Sequence, residues 1–152
     1  MFTAAIVAAL LAQDIKKPIE TPHLSVAVSA GAAEVASGGK VALFVDVAPK
    51  PKMHVYAPGQ DGYIAITLKL DASPGLVPAK AKYPAGEKYL MPALNETQIV
   101  YAKPFRIAQD VTVKSADGRT KTIKGSLRYQ ACDDAICYLP KTIPVEWTIA
   151  VR

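Results

Sequence analysis

From Leu24 onward the apolar residues recur at every second position. Leu24, Val26 and Val28 alternate with small or polar residues, as do Val41, Leu43, Val45 and Val47, and then Ile64, Ile66, Leu68 and Leu70. A period of two puts one set of side chains on one face of an extended chain, so each run reads as a half-buried β-strand. Shorter runs follow around Ile99-Val100-Tyr101, at Phe105 to Ile107 and at Val111 to Val113, each bounded by Gly, Pro or Asp. The chain also holds 12 prolines, each of which would remove a backbone donor and break the ladder inside a helix. An all-α fold is excluded on that ground.

Roughly seven to nine strands at this regular spacing, with no helix beyond about two turns after residue 22, predict an all-β protein. The architecture expected is an immunoglobulin-like antiparallel β-sandwich. Asp117-Gly118, lying between VTVKS and RTKTIKGSLRY, is a strong hairpin signal. With 152 residues, 51% of them hydrophobic, the chain can bury one sizeable core without a crosslink. The first twelve residues, MFTAAIVAALLA, are apolar and uncharged but too short to span a bilayer. They read as the end of a secretory signal with the small residue Ala12 at the cleavage point. Residues 1–12 are thus expected to be a signal peptide, 13–22 (QDIKKPIETP) an exposed linker, and 23–152 the folded domain. No transmembrane span is expected. Export to the periplasm would let the cysteines pair.

The balance of 18 Lys+Arg against 13 Asp+Glu gives a net charge of +5. The lysines are scattered and no aromatic residues alternate with them, which argues against nucleic-acid binding. Trp147 and the tyrosines Tyr56, Tyr63, Tyr89, Tyr101, Tyr129 and Tyr138 read as core or rim residues of a sandwich.

Most of the chemistry lies near the C-terminus. Cys132 and Cys137 flank Asp133-Asp134-Ala135-Ile136 at what reads as a hairpin mouth, where disulfide geometry with Cα atoms about 5.5–6 Å apart is within reach. Pairing the cysteines directly would set Leu127 opposite Thr142 and Ile123 opposite Glu146, apolar face against polar face. The register must therefore shift by one residue, and Pro140, which cannot donate to a ladder, is the expected place for a bulge. A disulfide here could be a passive staple. Against that, closing a loop of about six residues yields only about 2 kcal/mol by chain entropy. The neighbouring Asp133 and Asp134 would also raise the thiol pKa values, which suits exchange inside a docked complex.

The run from Tyr129-Gln130-Ala131-Cys132 through Cys137-Tyr138-Leu139-Pro140 resembles the redox hairpin of the N-terminal periplasmic domain of the DsbD thiol:disulfide interchange family. More weakly, Met53 to Gly59 resembles that domain's segment after the second strand. Tyr83-Pro84 through Tyr101 resembles the stretch carrying its cap loop. The resemblance implies an immunoglobulin-like domain that takes electrons from a separate membrane-embedded thiol reductase and passes them to exported thioredoxin-like proteins, without a bound cofactor. Carried over, Cys132 and Cys137 would be the cycling pair, with Cys137 the site of the mixed disulfide. Tyr129, Asp133, Asp134, Tyr138, Tyr56, Tyr89 and Met91 would support or cap it. The sequence departs from the family pattern in its four-residue loop, where some members have five, and in a cap stretch, Lys88 to Glu96, with no acidic-aromatic match.

Two rivals come from other classes. One is a noncatalytic immunoglobulin-like binding or scaffold module with a structural disulfide. The other is a periplasmic copper-handling module, since Met53, His54, Met91, His23 and the cysteines are soft ligands suited to Cu(I). Packing and surface roles account for those residues more simply, and no metal is expected. Zinc and haem motifs are missing, as is the glycine pattern of a nucleophile elbow near His54.

Overall fold

The structure, a computed structural model, describes residues 16–114 and 119–152. Its elements are all strands: β1 (Ile19–Glu20), β2 (Leu24–Ala30), β3 (Glu34–Val35), β4 (Gly39–Pro49), β5 (His54–Tyr56), β6 (Thr67–Leu70), β7 (Leu76–Pro78), β8 (Glu87–Met91), β9 (Glu96–Tyr101), β10 (Phe105–Val113), β11 (Thr120–Tyr129), β12 (Ala131–Cys132) and β13 (Lys141–Val151). Among the described residues no helix is long and apolar enough to cross a membrane.

A five-stranded sheet runs β1-β2-β4-β10-β7 and a four-stranded sheet β3-β13-β11-β6. These are the two layers of an immunoglobulin-like β-sandwich. The alternation that predicts the strands also fills the space between them: Val41, Leu43, Val45 and Val47 of β4 meet Ile123, Leu127, Val145 and Ile149 in one core, all essentially sealed from water. Trp147 crosses between the layers, its Nε1 donating to Ser29 O at 3.0 Å and Phe44 O at 3.3 Å. A buried indole N–H thus finds its acceptors on the opposite sheet, as desolvation requires.

The register shift expected of the cysteine hairpin is present. β11 and β13 pair with Ile123 opposite Trp147 and Leu127 opposite Ile143, one residue out of step with the Cys132–Cys137 bridge. Tyr138 N bonds Ala131 O at 2.8 Å while Tyr129 is already opposite Lys141. Leu139 and Pro140 therefore face the single residue Gln130, whose Nε2 bonds Tyr138 O at 3.0 Å.

Other details differ from expectation. Thirteen strands among the described residues replace seven to nine, because strands of two or three residues carry no period to read. The runs at 105–107 and 111–113 form one strand, β10; the buried Gln109 interrupts its apolar alternation and donates to Ala79 O at 2.7 Å. Ile64 and Ile66 lie outside β6, which starts at Thr67. Within the stretch read as linker, Ile19 and Glu20 form β1 and pair with β2. Asp117-Gly118 and the segment 1–12 lie outside the described residues. The strands flanking that dipeptide, β10 and β11, belong to different sheets and do not form the expected hairpin.

A third sheet, β12-β5-β9-β8, carries the cysteines. β5 follows β4 after the turn closed by Met53 N to Lys50 O at 2.9 Å, β12 follows β11 after Gln130, and β9 leads into β10. β12, β5 and β9 are thus each tied along the chain to a long strand of the sandwich.

Candidate functional site

Cys132 and Cys137 are joined in a disulfide with Cα atoms 4.0 Å apart, closer than the spacing expected from the sequence. The reason is the backbone. Asp133 N bonds Ile136 O at 2.9 Å and Tyr138 N bonds Ala131 O at 2.8 Å, which makes the cysteines a non-hydrogen-bonded antiparallel pair, the kind whose Cα atoms approach most closely.

The loop between them is held by its own carboxylates. Asp133 Oδ1 accepts from the backbone N–H of Ala135 and of Ile136, each at 2.8 Å, and Oδ2 accepts from the Tyr138 hydroxyl at 2.7 Å. These bonds, that from Ile136 foremost, hold the Asp133 carboxyl below the usual range. Asp134 accepts from the Tyr89 hydroxyl of β8, which pushes the Tyr89 phenol up to about 12. The β8–β9 hairpin is thereby tied to the cysteine loop, although its sequence offers no recognisable cap pattern.

The two sulfurs are not equivalent. Cys132 is 0% exposed, packed with Tyr56 and Val100 in a small cluster apart from the main core, whereas Cys137 is exposed. The Tyr56 hydroxyl reaches both, lying 3.1 Å from Cys137 Sγ and 3.3 Å from Cys132 Sγ. Burial raises the Tyr56 phenol pKa, with Tyr63 adding to the effect. Tyr63 packs on the Tyr56 ring at 4.6 Å and donates to Glu96. Beside Cys137, Ile136 and Leu139 are exposed, Leu139 at 86%, and Leu90 and Leu94 are exposed on the β8–β9 hairpin. Ile136 and Leu139 thus lie close to Cys137 along the chain, whereas Leu90 alternates with Tyr89 on β8 and so points to the other face of that strand.

The residues singled out from the sequence separate into two groups. Cys132, Cys137, Asp133, Asp134, Tyr138, Tyr56 and Tyr89 come together. Tyr129 belongs to the main core and turns its hydroxyl to Thr21 Oγ1 at 3.2 Å. Met91 is buried on β8, two residues beyond Tyr89. Among the described residues no group of three or more His, Cys, Asp or Glu is gathered as a metal-holding cluster. His23 stacks on Tyr138 at 4.3 Å and His54 lies against Tyr89 at 4.5 Å.

Three neighbours have no counterpart in the sequence-based site. Tyr63 covers Tyr56. Gln98, fully buried, lies on β9 opposite Tyr89. His54, as a neighbour of the cysteines, is the register partner of Cys132. Burial pushes the His54 imidazole pKa down, while Asp134 and then Asp133 act to raise it.

The sequence model described as "Thiol:disulfide interchange protein DsbD, N-terminal" matches residues 22–147. Among solved structures, the N-terminal periplasmic domain of ScsB from Proteus mirabilis superposes with a TM-score of 0.60 at 17% identity, over 88% of this chain and 49% of that one. The reduced form of the Neisseria meningitidis DsbD N-terminal domain gives a TM-score of 0.50 at 21% identity, over 82% and 83% of the two chains. The GAE domain of yeast GGA1 gives 0.50 at 11% identity, over 85% of this chain and 95% of that one. The chain thus spans about half the length of the ScsB domain. No curated protein sequence matched the chain.

Proposed function

The chain belongs to the family of DsbD N-terminal domains, and from that membership we propose that it is an exported, periplasmic relay that carries electrons by dithiol–disulfide exchange. Its electron donor is a membrane-embedded thiol reductase and its acceptors are exported thioredoxin-like proteins. Cys132 and Cys137 are the cycling pair.

The observation that carries this reading is the asymmetry of the disulfide, with one cysteine sealed and the other exposed. Exchange requires in-line access of a thiolate to one sulfur and departure of the other. A donor thiolate attacks Cys137 Sγ, the Cys132–Cys137 bond breaks, and its electron pair leaves on Cys132 as a thiolate beside the Tyr56 hydroxyl. A second donor thiolate then attacks the donor sulfur of the mixed disulfide and releases Cys137. The donor is left as a disulfide and the pair here holds two electrons, its sulfurs taking up two protons from solvent. Delivery to an acceptor runs the same steps in reverse, with Cys137 attacking and Cys132 resolving. Ile136 and Leu139, exposed close to Cys137 along the chain, offer a partner apolar contact there.

In a Cys132→Ser chain a mixed disulfide at Cys137 has no neighbour to resolve it. Incubation with a periplasmic extract is expected to trap thioredoxin-like proteins on Cys137, while the wild-type chain accumulates none. Should neither Cys132→Ser nor Cys137→Ser capture a partner, and the reduction potential of the pair lie below about −300 mV, the disulfide is a structural staple and the chain a noncatalytic binding module.

A further inference from the structure

Two buried polar groups on the third sheet, beside the disulfide, lack a hydrogen-bond partner: His54 Nε2 and the side-chain amide of Gln98. An unpaired buried polar group costs about 1–3 kcal/mol, so each asks for a cause. For His54 the cause lies across the strand. Its register partner is Cys132, and directly opposed side chains of an antiparallel pair share one face with Cβ atoms about 4.5–5.5 Å apart. In the disulfide Cys132 has no hydrogen to donate. Reduction places an S–H there.

We propose that His54 Nε2 accepts the hydrogen bond, and then the proton, of the Cys132 thiol in the reduced protein, so that His54 is the base that lets Cys132 resolve the mixed disulfide formed at Cys137. This rests on the exchange reading above. The surroundings suit the task. Tyr89 of β8 lies against the imidazole at 4.5 Å and Tyr56 of its own strand stands edge-on at 6.4 Å. The cysteine loop contributes Asp133 and Asp134. From β9 the register brings uncharged Gln98 opposite Tyr89 and Val100 opposite Tyr56. Burial keeps His54 neutral and able to accept a proton at neutral pH, and the two carboxylates favour the imidazolium once the proton has arrived.

In the resolving step the Cys132 S–H proton moves to Nε2 and the Cys132 thiolate attacks Cys137 Sγ. The Cys132–Cys137 bond forms and the bond from Cys137 to the partner sulfur breaks. The partner leaves as a thiolate with that electron pair and is protonated from solvent, to which His54 returns its proton. The pair here loses two electrons, and the partner disulfide gains them.

The test uses the reduced chain and oxidised glutathione, following release of glutathione from the Cys137 mixed disulfide between about pH 5 and pH 10. In the wild type the rate rises to a plateau near neutrality as His54 loses its proton. His54→Phe keeps a ring against Tyr89; its rate is expected to fall about a hundredfold at pH 7. It regains the wild-type rate only above the thiol's own pKa, at or beyond about 8.5. Coincident profiles, or a slowing that is equal at every pH, overturn the proposal. A Cys132→Ser chain that forms no glutathione adduct overturns the exchange reading itself, and this inference with it. If His54→Phe does not fold, 15N-histidine spectra of the wild type decide: reduction is expected to shift the His54 Nε2 resonance, and an unchanged resonance overturns the proposal.

Discussion

The Tyr89 hydroxyl donates to the Asp134 carboxylate and so ties the β8–β9 hairpin to the loop that separates the cysteines. The bond bridges two elements far apart in sequence, and it is made at an exposed position. Tyr89→Phe is expected to cost about 1 kcal/mol or less while exposing Cys137 further. Reduction of the disulfide by dithiothreitol should accelerate severalfold, and an unchanged rate would mean that the tie does not limit access.

Tyr56 reaches both sulfurs. Among the described residues its hydroxyl is the one side-chain polar group within hydrogen-bond distance of either, and a hydrogen bond to a charged group contributes about 1.5–3 kcal/mol. Tyr56→Phe should therefore slow exchange at pH 7 by about tenfold or more, with an unaltered circular dichroism spectrum.

The loop's hydrogen bonds are made by Asp133, Tyr138 and the backbone, none of them by a sulfur. Cys132→Ser and Cys137→Ser are expected to stay folded and to lose at most about 2 kcal/mol, the chain-entropy value for so short a loop. Urea denaturation of both variants measures this, and a loss well beyond that figure would mark the disulfide as a staple.

Acid should release the loop. The Asp133 carboxyl has a folded pKa below its unfolded value, so its contribution is complete above about pH 3.9 and is lost as pH falls through the folded pKa. The Ala135 and Ile136 amide resonances, read by NMR from pH 5 to pH 2, should shift together as Asp133 takes its proton, at a midpoint below about 3.9. A midpoint at or above that value would contradict the bonding described.

Gly86 stands just before β8. A Cβ there would meet Ile99 Cγ2 at 2.6 Å and Ala57 Cβ at 2.7 Å, so Gly86→Ala must push β8 outward, costing about 1–3 kcal/mol. Because Tyr89 rides on that strand, the variant should also show the faster dithiothreitol reduction expected of Tyr89→Phe.

The fold and the cysteine hairpin were legible in the sequence because their signals are long or forced. Ten-residue strands show their period. Direct pairing of the cysteines sets Leu127 and Ile123 against polar residues, which demands a one-residue shift with Pro140 as its natural place; the structure has Ile123 opposite Trp147 and Leu127 opposite Ile143. The surroundings of the sulfurs were not legible. β5 and β12 have three and two residues, too few to reveal a face, so nothing in the sequence set His54 opposite Cys132. Gln98 is polar on a strand yet fully buried, against its composition. The unequal exposure of the cysteines depends on Tyr56, Tyr63 and Tyr89 converging from distant parts of the chain. Gln109 misled for a simpler reason, a polar side chain in an apolar position that splits one strand into two apparent runs.

The bonds from Asp133 to Ala135, Ile136 and Tyr138, and the bond from Gln130 to Tyr138, fix the backbone on both sides of the sulfurs without help from the S–S link. None of these bonds is made by a sulfur, so reduction of the disulfide does not by itself remove any of them. On the exchange reading, release of a partner is then set by how fast each covalent adduct is resolved, while the direction of electron flow is set by the reduction potentials of the two pairs.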